Sequence, residues 1–179
     1  MLTLPERLTT QRLILRAPRA DDAAHLFDAY TQDSEVTRHM VWRPHQNVLE
    51  TEAFIAYCMS CWESGSGRPY VLALRGDEDA PLGMLEARVA PHSVDLGYVL
   101  ARACWGQGLM PEAITALAEV ALSLPDCFRV QATCHVYNTA SARTLEKCGF
   151  VREGRLARFA VLPNIGSEPA PAFMYALCR

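Results

Sequence analysis

The chain has 179 residues, half of them apolar and 21% charged, with a formal net charge of −3. That length suits a single domain, 1–179, with a sizeable core, and the composition is that of an ordinary globular protein. Both signs of charge are scattered, which excludes a basic nucleic-acid patch and a charged disordered tail.

No stretch approaches the ~20 apolar residues of a membrane span. Residues 1–7 carry no signal-peptide apolar run, so a cytoplasmic protein with no nucleic-acid or membrane partner is expected. The seven cysteines, at 58, 61, 104, 127, 134, 148 and 178, are an odd count that suits reduced thiols. Cys58 and Cys61 have zinc-type spacing but no second pair, and we read them as buried small residues, with no metal.

In chain order, Arg12 to Arg16 alternates and reads as a strand. Ala20 to Thr31 reads as a helix with Asp21 and Asp22 in its first turn. Residues 33–45 are irregular and bulky. Asn47, followed by Glu50, resembles a capping box for a second helix carrying Phe54, Ile55, Cys58, Met59 and Trp62. Tyr70–Leu74, Leu82–Val89 and Val94–Leu100 then read as an antiparallel meander. A loop with Gly106 and Gly108 leads into a helix whose Met110, Ile114, Leu117, Ala121 and Leu124 form one apolar stripe, with Pro111 in its first turn. Phe128–His135 reads as a strand and Thr139–Cys148 as a helix, with Asn138 before it and Gly149 after it. Phe150–Leu162 and Ala172–Leu177 are the last strands. This order predicts an α/β (α+β) fold: a single mixed, mostly antiparallel sheet of about seven strands flanked by four helices.

The glycine loop carries the chemistry. Glycines let main chain approach a ligand closely, and the N-terminus of the following helix offers free N–H groups and a positive dipole end. Strand, glycine loop and helix therefore point to a phosphorylated cofactor held by backbone.

Three segments together resemble the GNAT superfamily of acyl-CoA-dependent N-acetyltransferases, and within it the RimJ/RimL-type branch. They are Leu96-Gly97-Tyr98-Val99-Leu100, then Trp105-Gly106-Gln107-Gly108 with Glu112 and Ala113, then Asn138 and Ser141 with Glu146, Lys147, Gly149 and Phe150. The resemblance implies acetyl-CoA as co-substrate and direct transfer in a ternary complex to a primary amine. That amine is a protein N-terminal α-amine or a small amine. It also implies that main-chain N–H groups from Cys104, Trp105, Gly106, Gln107, Gly108 and Leu109 hold the pyrophosphate. The backbone near Val99, Leu100 and Ala101 would pair with the pantetheine arm, and the oxyanion donor would lie near Val99 or Leu100. Asn138 and Ser141 would sit at the thioester. The tyrosine that many members carry seven residues after the asparagine is Leu145 here, which leaves Ser141 to hydrogen-bond the leaving thiolate. Asn138 also reads as a plain N-cap and Ser141 as a plain first-turn residue.

An α-amine of pKa near 8 costs about 1.4 kcal/mol to deprotonate at pH 7, against about 4.6 for lysine. The candidate bases are Glu86, on an apolar strand face, and Asp95, with His92 and His135 as further candidates. In this branch the acceptor pocket implies Met40, Trp42, Arg43, His45, Phe54 and Tyr57, with Phe159 and Asn164 from the last hairpin. Trp42 reads equally as core. Two other classes remain. One is a catalytically silent acyl-CoA-binding regulatory protein, which Leu145 makes concrete. The other is a nucleotide-binding module, which lacks a P-loop Gly-Lys-Ser/Thr and a downstream acidic strand end. The quaternary state is open, a homodimer included.

Overall fold

The computed structural model describes residues 2–179. In chain order its elements are β1 (Arg7–Thr9), β2 (Leu13–Arg16), α1 (Asp22–Leu26), α2 (Ser34–Thr37), α3 (Val48–Ser64), β3 (Arg68–Leu74), β4 (Gly83–Val89), β5 (Ser93–Leu100), α4 (Leu109–Ser123), β6 (Arg129–His135), α5 (Thr139–Lys147), β7 (Val151–Val161) and β8 (Pro169–Cys178). The strands form one eight-stranded sheet in the order β1-β2-β3-β4-β5-β6-β8-β7. Its neighbours are antiparallel except β5 and β6.

This is the expected α/β sheet with one strand and one helix more. The additions, β1 and α2, have three and four residues, too few for either to show a period. Asp33 is the local cause of α2, because its carboxylate accepts the N–H groups of Glu35 and Val36. Asn47 caps α3 as expected, accepting from Glu50 N–H at 3.3 Å, while the Glu50 carboxylate reaches back to Gln46 N–H at 3.1 Å. Gly65, at φ 75°, ends that helix.

Two apolar layers cover the sheet. On one face Leu85, Ala87, Val94, Leu96, Val130, Ala132 and Tyr175 pack against Ile114, Leu117 and Ala121 of α4 and Leu145 of α5. On the other, Val71, Met84 and Val99 pack against Leu26 of α1 and Ile55 and Cys58 of α3. Cys58 and Cys61 lie on the buried side of α3, and burial, with Cys61 and Glu86 nearby, pushes the Cys58 thiol up to about 12.

The connection between sheet and first helix is a buried ion pair. Arg16 at the end of β2 donates to both carboxylate oxygens of Asp22, at 2.8 and 2.6 Å, and both side chains are 4% exposed. Asp22 also accepts the Arg19 N–H, and Arg16 reaches the Glu78 carbonyl. These extra bonds satisfy most of the pair's polar atoms away from water, while the enclosed Arg16 Nε has no partner among the described residues.

The feature that makes the site is a divergence in the middle of the sheet. β5 and β6 pair only from Ser93 and Arg129 to Leu96 and Ala132. Beyond that, β5 stays with β4 as far as Leu100 opposite Gly83, while β6 follows β8 as far as His135 opposite Ala172. The sheet therefore opens like a V between its two central strands. Gly83 keeps the β4–β5 arm tight. A Cβ there would meet the Val99 carbonyl oxygen at 2.5 Å.

Candidate active site

A cavity of about 580 Å³ passes through this opening. Its first wall is strand β5. In an antiparallel ladder the N–H and C=O of one residue face the same neighbour, and the direction alternates along the strand. Ala101 donates its N–H to Leu82 O at 2.8 Å, and Val99 O lies against Gly83, so positions 99 and 101 face β4. Positions 98 and 100 consequently face the opening, where no strand takes their hydrogen bonds. Leu100 O is held there by the Trp105 indole N–H at 2.8 Å. The backbone partner expected across Val99, Leu100 and Ala101 thus narrows to Tyr98 and Leu100. Of the two oxyanion positions expected, Leu100 faces the gap and Val99 does not. Ala101 is buried and does not line the cavity.

The glycine loop closes one end. Cys104 N–H and Trp105 N–H are consumed in a short turn, bonded to Ala101 O and Arg102 O. From Gly106 to Met110, in contrast, none of the five successive N–H groups has an acceptor among the described residues. Gly106 and Gly108 adopt φ of 75° and 74°, left-handed values that L side chains resist, and Gly108 is the residue that caps α4. The cradle therefore begins two residues later than expected, at 106. It combines successive free amides with the positive end of a helix, an arrangement that suits a diphosphate. The Gln107 side chain is not part of it, since its amide donates back to Ala103 O at 2.9 Å.

Arg12 and Glu112 hold the loop in place. Arg12 donates to Gln107 O at 2.9 Å and pairs with Glu112 at 2.7 Å, and Glu112 also accepts from the Thr10 hydroxyl and the Arg12 N–H. Burial opposes the charge on Glu112, but these hydrogen bonds outweigh it and hold the carboxyl below its ordinary value.

Across the opening, α5 supplies Asn138 and Ser141. The Asn138 side chain accepts the Ser141 N–H at 3.1 Å, the expected cap. The Ser141 hydroxyl lies 2.7 Å from the Tyr98 hydroxyl, a contact the sequence analysis did not anticipate. Burial drives the Tyr98 phenol well above its ordinary value despite that hydrogen bond, so Tyr98 is a neutral O–H. Tyr98 can donate to Ser141 Oγ, which frees the Ser141 proton for a sulfur atom in the cavity. Leu145 is fully buried in the core beneath.

The two faces of the opening differ. Tyr98 and Ser141 lie on the α4–α5 face. Glu86, Arg88, Gly97 and His135 line the cavity from the other face, toward α1 and α3. A Cβ on Gly97 would meet Arg88 Nη1 at 3.1 Å and Glu86 Oε2 at 3.6 Å, so these two side chains lie directly over β5. Glu86 accepts from Arg88 at 2.5 Å. Asp95, the other expected base, is outside the cavity lining. Its oxygens are taken by Arg88 at 2.7 Å and by Gln131 at 3.3 Å. His92 is also removed, on a distant turn against Phe128.

Of the expected acceptor residues, Met40, Trp42, Phe54, Tyr57 and Phe159 line the cavity. His45 does not. Its ring fits between Trp42, at 5.2 Å, and Phe54, at 6.3 Å, and its Nδ1 meets the Thr51 hydroxyl at 2.7 Å, so it braces the aromatic wall from behind. Arg43 lines a separate surface hollow with Pro163 to Ser167. Asn164 is a strap: its amide donates to Thr37 O and Trp42 O, both at 2.7 Å, and joins the β7–β8 loop to the α2–α3 connection. His39, which sequence patterning did not single out, also lines the cavity and stacks on His135. Its α2 context is too short for any periodic signal.

Comparison with known proteins agrees with this geometry. The family model described as an acetyltransferase (GNAT) domain matches residues 12–151. An uncharacterized N-acetyltransferase, p20, of Bacillus licheniformis is 27% identical over 154 residues, 84% of this chain and 85% of that protein. The ribosomal protein uS5-alanine N-acetyltransferase of Escherichia coli is 29% identical over 159 residues, 83% of this chain and 79% of that protein. In fold, the chain is similar to RimL, the ribosomal L7/L12 α-N-protein acetyltransferase solved with coenzyme A. That structure has a TM-score of 0.83 and 21% identity, with 97% of this chain and 98% of that one covered.

Proposed function

The chain belongs to the acetyltransferase (GNAT) family, an acetyl-CoA-dependent N-acetyltransferase, and from that premise we propose that its acceptor is the α-amine of a polypeptide chain. The observation that carries this reading is the V between β5 and β6, with five unused amides at one end and an aromatic-walled cavity on the face toward α1 and α3. An α-amine also demands the least from a base at neutral pH, about 1.4 kcal/mol against about 4.6 for a lysine. One relative is named a ribosomal protein uS5-alanine N-acetyltransferase and one structure of similar fold a ribosomal L7/L12 α-N-protein acetyltransferase, which is consistent with this acceptor.

Acetyl-CoA supplies the activated acetyl group; the residues of this chain position it and manage the protons. Amides 106–110 bind the diphosphate. The edge of β5 at Tyr98 pairs with the pantetheine arm, and Leu100 N–H, whose carbonyl is already held by the Trp105 indole, stabilises charge developing on the thioester oxygen. The amine arrives from the Glu86 face. Glu86, through a water, takes the proton that the amine loses as it attacks. The thiolate departs toward the opposite face, where Ser141 donates and Tyr98 supports it. Entry and exit on opposite faces of one gap suit direct attack without an acyl-enzyme.

The test is thiol release from acetyl-CoA with a panel of N-terminal peptides, polyamines and aminoglycosides. Peptides should be the most efficient acceptors by kcat/KM. Preference for a non-peptide amine would remove the acceptor assignment. Coenzyme A binding with no turnover on any amine would instead favour a silent acyl-CoA-binding regulator.

A further inference from the structure

The cavity wall carries two histidines that the transfer step does not use. His39 follows α2 and His135 ends β6, and their rings stack at 5.2 Å with 29° between planes. Tyr137 closes on His135 edge-on at 5.4 Å. The Nδ1 of each ring is enclosed and has no hydrogen-bond partner. The Nε2 of each also has no partner among the described residues, and neither is fully enclosed.

That asymmetry assigns the protons. An imidazolium, or a tautomer protonated on Nδ1, would bury an N–H with no acceptor, which folded proteins avoid. A bare lone pair in the same place is the least unfavourable choice. Burial, the neighbouring His135 and the nearby Arg38 hold His39 below its ordinary pKa against the opposing pull of Glu35, and burial does the same for His135. Each ring is therefore neutral with its proton on Nε2, a donor and not a base.

Two N–H donors side by side on one wall of a cavity call for an acceptor oxygen, and none of the described residues supplies one. In a peptide, the carbonyl oxygen of the first residue lies two bonds beyond the carbon that bears the α-amine. An alkylamine has no such oxygen. We propose that His39 and His135 hold the first carbonyl of the acceptor polypeptide through their Nε2–H groups, a specificity contact that favours α-amines next to a carbonyl. This rests on the reading of the acceptor as a peptide α-amine. A site built to hydrogen-bond a substrate group rejects the analogue that lacks it, because its own polar groups are then left unpaired.

The test compares a hexapeptide beginning with alanine against the same peptide with its first carbonyl reduced to a methylene, by thiol release from acetyl-CoA. The wild type should favour the intact peptide at least tenfold in kcat/KM. His39→Phe and His135→Phe keep an aromatic ring in the stack and should each shrink that ratio by about tenfold, the scale of one lost hydrogen bond. A ratio unchanged in both variants overturns the proposal. Nitrogen-15 NMR of the imidazoles gives a readout independent of turnover. Protons on Nε2 at neutral pH are expected, and a proton on either Nδ1 overturns the proposal. Failure of the underlying reading looks different: neither peptide releases thiol while another amine class does.

Discussion

The two halves of the cavity are built by different means. The half proposed to hold the coenzyme is main chain: amides 106–110, the edge of β5 at Tyr98 and the Leu100 N–H, and two glycines with left-handed φ. The acceptor half is side chain: Met40, Trp42, Phe54, Glu86, His135 and Phe159, drawn from α3, β4, β6, β7 and the α2–α3 connection. On the proposed reading the coenzyme half would grip a group common to every acyl-CoA, and amides need no particular side chain to do so. The acceptor half must choose among amines, and choice needs side chains of particular shape and polarity.

The comparison breaks most visibly at the glycines. Replacing Gly106 and Gly108 together by Val forces two branched residues into left-handed backbone, at about 1–2 kcal/mol each. Coenzyme A affinity should fall about a hundredfold by calorimetry, with the far-ultraviolet circular dichroism of the sheet retained. An affinity within twofold of wild type would mean that the loop is not the diphosphate site.

Next in size is the step between the halves. Ser141→Ala should lower turnover about tenfold to a hundredfold, in line with loss of a general acid, while acetyl-CoA binding changes little. Tyr98→Phe should lower it less, because Ser141 keeps its proton and loses only its support. Equal turnover in wild type and Ser141→Ala would take the serine out of the acid role.

A subtler cut separates the halves by which ligand is affected. Asn164→Ala removes the side-chain donor of the Trp42 carbonyl and one of the two donors of the Thr37 carbonyl, which keeps the Met40 N–H, a loss of about 1–3 kcal/mol. The acceptor KM should rise severalfold and the coenzyme A affinity should not move. A change in the second quantity alone would show that the strap serves the wrong half.

The smallest effect is a pH dependence. Burial opposes the charge on Glu112, but hydrogen bonds from Thr10 and Arg12 outweigh it and hold the carboxyl below its ordinary value. A depressed carboxyl stabilises the fold above its unfolded value, and the contribution fades as pH falls through the lower folded value. Between pH 4.5 and more acid conditions, wild type should therefore lose thermal stability more steeply than Glu112→Gln. Parallel curves would show that Glu112 does not anchor the loop.

Much of the coenzyme half was legible in the sequence because it depends on residues close together along the chain. The run from Leu96 to Glu112 announces strand, turn and helix by alternation, glycine and apolar spacing. Even there, the order of residues could not say which amides were free. That depended on a short turn using up Cys104 and Trp105, and on β4 facing positions 99 and 101. The acceptor half was legible only in part. Trp42 and Phe54 stand out as bulky residues, but Arg43 and His45 looked equally suitable and point elsewhere.

What the sequence determined by itself was most of the elements, though not the short β1 and α2, together with the turn chemistry at Gly106 and Gly108 and the cap at Asn138, because each is settled by interactions within a few residues. What only the tertiary structure decided was the divergence of β5 from β6 and the meetings across it. These are Tyr98 with Ser141 and His39 with His135. Such meetings join residues up to 96 positions apart (39 and 135). Their cause is the packing of whole layers, in which β6 follows β8 and β5 follows β4, and no local pattern records that competition.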